Sequence, residues 1–398
     1  MIGALSSYII LRETGSYTPQ ATHTEKITSI STEIKTYTQT LTQFSTTSII
    51  VIVKETKTYT YTTYSGESPQ KITVVDALNR TLVFDRYPER IVFVGKGARY
   101  MLDLFYVFKS APKKIIAFDT MFKTSPVLQL LEPELDKKAI FTGTPNVETL
   151  ISLKPDLVIM KSAFKKDGDT YESAGLRVMY VDPETPEGFF RDLMNIGVVM
   201  GERDRAAEVA SYIKMILTYL HDKLANISET RPRVLFLYYS VKGDTASIKV
   251  PPSSYLQNYL IELAGGDSVS KNIPGGQWVE INLEQVLAWN PSIIFVVTYS
   301  TNPSPTDVIQ RLISDPSWSN IDAIKNKRIY PVPGLEYSWD MPGPKWPLFI
   351  VYAASKIYPE LFRDFSLKQF LVDYYSRIYD IDLGSAEKIA LYDLRGMS

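Results

Sequence analysis

The segment NVETLISLKPDLVIM at residues 146–160 returns, altered but in step, as INLEQVLAWNPSIIFVV at residues 281–297. Each copy places an acidic residue, Glu148 or Glu284, seven positions before a proline, Pro155 or Pro291. Apolar positions at helical spacing lie between them, and an apolar run follows the proline. Proline cannot continue a helix, so each copy reads as a helix that stops and feeds a buried strand. Any αβ unit gives helix, break and strand. A shared Glu, a shared spacing and a shared Pro-polar-apolar run ask for more than that, and suggest two similar α/β halves.

The surrounding sequence agrees. KITVVDAL with RTLVF reads as a hairpin turning near Asn79, and RIVFVG, KIIAFD and LRVMYVD read as short buried strands between helical stretches. From Pro186 to Ile227 the pattern turns helical, with Ala206, Val209, Tyr212, Ile213, Ile216, Leu217, Leu220 and Leu224 at helical spacing after Gly201. Strands then resume with RVLFLYYS, the second copy of the repeat and RIYPVP, and Leu348–Leu394 reads as helical. The expected fold is α/β: two Rossmann-like lobes joined by one long backbone helix. The lobes are assigned to residues 70–185 and 230–398 and the bridge to 186–229.

What precedes residue 70 has another character. Residues 1–13 are apolar for about ten positions, where a membrane helix needs about 20, and read as the stub of a signal or anchor. From Thr14 to Ser68, 24 of 55 residues are Ser or Thr, with Tyr interleaved. Such a stretch buries too little to offset its ordering entropy, so 14–69 reads as a disordered or extended stalk, open to O-glycosylation. Ile49–Val53 could pair locally as a strand.

Composition removes several chemistries. There is no Cys, so thiolate nucleophiles, Cys–zinc sites, disulfides and a lipid-modified N-terminal Cys are absent. Two His, His23 and His221, argue against a Ser-His-Asp triad and a multi-His metal site. A net charge of -1 argues against nucleic acid.

Ligands of open α/β sheets sit beyond the carboxyl ends of the strands. In the first lobe those positions are Gly95, Lys96, Gly97, Ala98 and Arg99, then Asp119, Phe122 and Lys123, then Lys161 and Ser162. Lys96, Arg99, Lys123 and Lys161 make this wall cationic, and glycines before a helix start offer backbone N–H groups to an anion. In the second lobe the positions are Tyr239, Trp278, Tyr299, Glu336, Tyr337, Trp339 and Asp340, an aromatic wall. Trp339 and Asp340 lie in a Pro- and Gly-punctuated loop, where an exposed Trp has little structural reason. Trp289, Trp318 and Trp346 read as packing residues. A large anion or an anionic metal chelate suits the two walls. Lysines after strands are also commonly solvated loop residues, and Glu148 and Glu284 suit helix N-termini through the dipole alone.

The ordered set KITVVDALNRTLVFDRYPERIVFVGKGARYMLDLF, FTGTPNVETLISLKPDLVIM, LIELAGGDSV, INLEQVLAWNPSIIFV, DPSWSNIDAIKNKRIYPVP and WDMPGPKWPLFIVYAASKIYPELF covers residues 71–375. It resembles the helical-backbone substrate-binding proteins of ABC importers, which carry iron complexes, haem and cobalamin. The resemblance implies two lobes with small closure, no catalysis and no cofactor. It implies capture of a metal complex, a ferric siderophore-like chelate first, and delivery to importer membrane subunits. Glu148 and Glu284 match the positions where such proteins dock onto Arg residues of those subunits. Where the family usually reads P-x-A-T-E, this chain has Gly95–Arg99, which favours an anionic ligand over cobalamin. Molybdate or tungstate, haem and cobalamin stay open as ligands of the same class, as does a bare ferric ion held by Tyr and carboxylates.

Localisation follows as the outer face of the cytoplasmic membrane, with an N-terminal tether and a monomeric state. The stalk and the missing anchor Cys resemble archaeal surface proteins more than bacterial lipoproteins. The N-x-S/T acceptors Asn79 and Asn226 are compatible with glycosylation. Two other classes compete: a surface adhesion protein, and a metal-complex-processing enzyme using Asp119 with Asp340.

Overall fold

The computed structural model describes residues 30–36, 58–64, 71–95, 98–119, 125–227, 230–242, 245–334 and 338–395. The chain divides into two units, Met1–Pro69 and Gln70–Ser398. In the first, β1 (Ile30–Thr36) pairs antiparallel with β2 (Thr58–Tyr64), Ile30 opposite Tyr64. Alternating Thr and Tyr favours this extended backbone. Residues 1–13 and Ile49–Val53 lie outside the described residues. Among the described residues no helix is long and apolar enough to cross a membrane.

The second unit opens on the hairpin of β3 (Ile72–Val75) and β4 (Thr81–Phe84). Its turn puts Asn79 at φ 58°, and the buried Asp76 carboxylate accepts from the backbone N–H groups of Leu78 and Arg80. Asn tolerates this left-handed conformation better than most residues. The first lobe follows as β5 (Ile91–Val94), β6 (Ile115–Asp119), β7 (Ala139–Phe141), β8 (Leu157–Lys161) and β9 (Val178–Val181). They form one parallel sheet in the order β7-β6-β5-β8-β9. All four residues of β5 and of β9 are buried, since helices cover both faces, which explains unbroken apolar runs rather than alternation.

Two consecutive helices, Pro186–Met200 and Arg203–Leu224, leave the first lobe. Thr185 caps the first through the Gly188 N–H, Pro186 takes its first turn, and Gly201 ends it at φ 78°. The helices pack closely: a Cβ on Gly197 would lie 2.5 Å from the Ala206 methyl. The second, the expected bridge, has 22 residues and is about 33 Å long. Its buried face is Ala206, Val209, Ile213, Ile216, Leu220 and Leu224, with Tyr212 and Leu217, at the same helical spacing, half-buried on its flanks.

The second lobe contains β10 (Arg233–Lys242), β11 (Thr245–Val250), β12 (Asp267–Ser268), β13 (Val279–Ile281), β14 (Ile293–Val297) and β15 (Ile329–Pro331). Its sheet runs β13-β11-β10-β14-β15, with β12 beside β10. Parallel pairs centre on β10 and β14, as the strand–helix alternation implies. The β10–β11 and β11–β13 pairs are antiparallel, a departure from an all-parallel sheet. Only two residues separate β10 from β11, and so short a connection permits no parallel crossover.

The C-terminal helices Leu367–Tyr379 and Leu383–Arg395 bind both lobes and the bridge. The buried guanidinium of Arg205 on the bridge donates to Val107 O of the first lobe and to Arg377 O and Ile378 O. Tyr379 Oη donates to Asp103 of the first lobe, and Trp339 Nε1 donates to Asp393.

Candidate functional site

The duplicated motif folds the same way twice, at a constant offset of 136 residues. Asn146 and Asn282 cap the helices Val147–Leu153 and Leu283–Trp289, accepting from the N–H groups of Thr149 and Gln285. Lys154 and Asn290 close them in the left-handed conformation, and β8 and β14 follow. Glu148 and Glu284 occupy the first turn of each helix and are exposed. Capping is done by the asparagines; the glutamates add only a favourable charge at the dipole.

The carboxyl ends of the parallel strands of the two lobes lie within electrostatic reach of each other, Glu184 beyond β9 acting on Tyr255 and Tyr299 of the second lobe. On the first-lobe side, Lys161 is the last residue of β8 and is ion-paired to Glu184, beyond β9; both side chains are largely enclosed. Next to them Ser162 Oγ donates to Asp182 Oδ2 at 2.7 Å. Asp119, ending β6, accepts from the Gly143 N–H at 2.7 Å. The sequence implies a cationic wall here. The described residues at this end include acidic groups as well: Lys161 is paired with Glu184, Asp182 is held by the neighbouring Ser162, and Asp119 ends β6, two strands away. Arg99 lies in the helix Ala98–Phe105, its side chain outside the described residues. Lys96, Phe122 and Lys123 also lie outside them, as do Glu336 and Tyr337.

The second-lobe side is aromatic. Trp278 lies 5.2 Å from Tyr238, 5.8 Å from Tyr255 and 5.9 Å from Tyr299 between ring centroids, and Tyr238 lies 4.9 Å from Tyr299. All four side chains are half-buried. Tyr238, rather than the expected Tyr239, belongs to this wall. Side chains alternate along a strand: Val234, Phe236 and Tyr238 of β10 share one face, and Leu235, Leu237 and Tyr239 pack into the core behind the other. Tyr299 follows β14 at φ 50°, and its hydroxyl donates to Asp340 Oδ2 at 2.6 Å.

Asp340 and Trp339 need correction. Both are fully buried. Trp339 packs edge-on against Tyr352, and its indole N–H donates to the buried Asp393. Trp339 is therefore a core residue and not an exposed ligand contact. Asp340 accepts from Tyr299 and from Gln257 Nε2 at 2.8 Å, holding the wall from behind. Burial raises its pKa, against the lowering bonds from Ser338, Tyr299 and Gln257. Enclosed in this way, it is not placed to exchange protons with a ligand alongside Asp119. Trp318 and Trp346 are buried, and Trp289 is partly buried against the second-lobe core, as packing residues.

The two walls sense each other. Burial raises the Tyr255 phenol pKa, Glu184 raises it further and Lys161 opposes. Tyr299 is raised by burial, by Asp340 and, more weakly, by Glu184. Tyr255, Glu184 and Gln257 were not legible as site residues; Tyr238 was, through strand alternation.

The family model for periplasmic binding proteins matches residues 81–334. The chain belongs to that family. It is a substrate-binding protein of the ABC importer class, as the ordered motifs imply. It is 24% identical to the molybdate-binding protein MolA of Haemophilus influenzae, over 78% of this chain and 88% of MolA. The Fe(3+)-citrate-binding protein YfmC of Bacillus subtilis is 25% identical over 52% of this chain and 63% of its own length. Among solved structures, a periplasmic solute binding protein from Veillonella parvula superposes with a TM-score of 0.65, covering 82% of this chain and 98% of that one at 22% identity. MolA bound to molybdate gives a TM-score of 0.60 at 22% identity, covering 78% of this chain and 98% of that one.

Proposed function

We propose that the protein captures an anionic metal chelate with an organic body, of the ferric siderophore type, in the interlobe cleft. It then delivers the chelate to an ABC importer at the outer face of the cytoplasmic membrane. The observation that carries this reading is the ring cluster of Tyr238, Tyr255, Trp278 and Tyr299 at the strand ends. Flat apolar faces with polar edges suit a ligand with an organic scaffold. Lys96, Arg99, Phe122 and Lys123 are assigned to the opposite wall from their positions after β5 and β6. Glu148 and Glu284, exposed once on each lobe, are assigned to importer docking. The N-terminal segment is assigned to a tether, and the binding unit is taken as a monomer.

A second reading, a bare oxyanion, is favoured by the likeness to MolA over most of both chains. Thermal unfolding of the full chain against ferric citrate, a ferric catecholate, haem, cobalamin, molybdate and tungstate separates the two. A ligand that binds only the folded state adds about 2.7 kcal/mol at 100 times its dissociation constant. A shift with a ferric chelate supports the first reading, and a shift with molybdate or tungstate alone supports the second. No shift with any of them counts against solute capture of this class and in favour of adhesion.

A further inference from the structure

A lysine at the end of a buried strand, pointing to a ligand cleft, is the group a bare oxyanion would use. Here that lysine is engaged. Lys161 ends β8, and the Glu184 carboxylate, two residues past Asp182 in the loop after β9, is paired with its ammonium. Both side chains are at least three-quarters enclosed, at 16% and 25% exposure, so water screens the pair poorly. Asp182, held by Ser162, adds a second negative charge beside them. Tyr255 and Tyr299 of the facing lobe lie near enough to feel Glu184. The pair therefore stands opposite the aromatic wall.

We propose that Glu184 sets the ligand class of this cleft. By pairing with Lys161 it withholds that ammonium from a small tetrahedral oxyanion and places a carboxylate where such an anion would sit. Binding is left to the rings, which grip the organic body of a metal complex, together with the residues assigned to the opposite wall after β5 and β6. This rests on the solute-binding reading above and narrows it to chelates over oxyanions.

The test is isothermal titration of the full chain with sodium molybdate, for the wild type, Glu184→Gln, Lys161→Met and the double variant. Gln keeps the shape of Glu184 and removes its charge. A hydrogen bond to a charged group contributes on the order of 1.5–3 kcal/mol, so Glu184→Gln is expected to tighten molybdate binding by about tenfold or more. The double variant is expected to lose that gain, because the gain runs through the Lys161 ammonium. Lys161→Met alone keeps the Glu184 charge and is expected to give no gain in molybdate binding.

Three results overturn the proposal. One is a Glu184→Gln protein that melts like the wild type and binds molybdate no better. Another is a double variant that keeps the whole gain, which would make the effect one of bulk charge. The third is a gain in molybdate binding in Lys161→Met as large as that in Glu184→Gln, which would mean that breaking the pair, and not freeing the Lys161 ammonium, admits the oxyanion. Chelate binding by the wild type in the melting experiment is independent of all three, so the role of Glu184 can fail while the solute-binding reading stands.

Discussion

Asp103 offers a quantitative test of the way the lobes are joined. It lies on the helix Ala98–Phe105 and is 8% exposed. Its Oδ1 accepts from Tyr379 of the C-terminal helices at 2.5 Å, and its Oδ2 has no hydrogen-bond partner. Burial raises its pKa from 3.8 to about 6, against the lowering influence of Lys345 and of the Tyr379 bond, with Asp393 raising it further. A carboxyl whose pKa is higher folded than unfolded favours the folded state while protonated. That contribution is complete below the unfolded value of 3.8 and is lost as pH rises through about 6. A shift of this size corresponds to about 3 kcal/mol in all, of which about 2 kcal/mol falls between roughly pH 4.5 and pH 7. Asp192, also buried and also raised to about 6, titrates in the same window, so the wild-type curve contains both groups. Asp103→Asn isolates one of them. Any constant cost of weakening the Tyr379 bond cancels when the variant is compared with the wild type at two pH values. Urea unfolding followed by far-ultraviolet circular dichroism should show the variant gaining about 2 kcal/mol on the wild type between pH 4.5 and pH 7. Parallel stability curves for the two proteins would refute a carboxyl titrating near 6 at this junction.

Three further outcomes are expected. Trp278→Ala removes the ring common to the contacts with Tyr238, Tyr255 and Tyr299, and should weaken binding of a ferric catecholate about tenfold in titration. Tyr299→Phe leaves the buried Asp340 with one fewer donor and should cost about 2 kcal/mol, read as a lower urea midpoint. Glu148→Arg combined with Glu284→Arg should abolish ATP-driven uptake into vesicles reconstituted with the importer, while leaving ligand affinity in solution unchanged.

The two-lobed fold was legible because its signals are local. The helix of Val147–Leu153, its stop before Pro155 and the buried run of β8 are all written in fifteen consecutive residues, and the second copy repeats them. The periodicity from Ala206 to Leu224 marked the buried face of the bridge in the same way. The site was less legible because its signals are not local. That Lys161 is paired depends on β8 and β9 lying side by side and on where the chain turns after β9. That Trp339 is buried depends on Tyr352 and on Asp393, which lies 54 residues away in the chain. A Pro- and Gly-rich loop gives no local reason to expect either partner. Tyr239 is a case of a different kind: it packs against the second-lobe core. Strand alternation assigned Tyr238 to the face of Val234 and Phe236, and a position chosen only by its distance from the strand end ignored that.

The two halves agree and differ in different places, and the difference bears on the ligand. From Asn146 to Pro155 and from Asn282 to Pro291 the same cap, the same acidic first turn and the same left-handed close recur at a fixed offset. That outward face is equivalent on both lobes, as a partner that presents one surface twice would require. At the inner ends of the following strands the likeness stops. The position of Lys161 in β8 is taken by Val297 in β14, and the chain then turns at Tyr299 in a left-handed conformation that sets its ring against Tyr238 and Trp278. One wall carries charges in register and the other carries rings. A ligand held between such walls meets polar groups on one side and flat apolar faces on the other, and a small isotropic ion cannot use both. The proposed chelate, which presents an organic face as well as charged groups, matches that asymmetry.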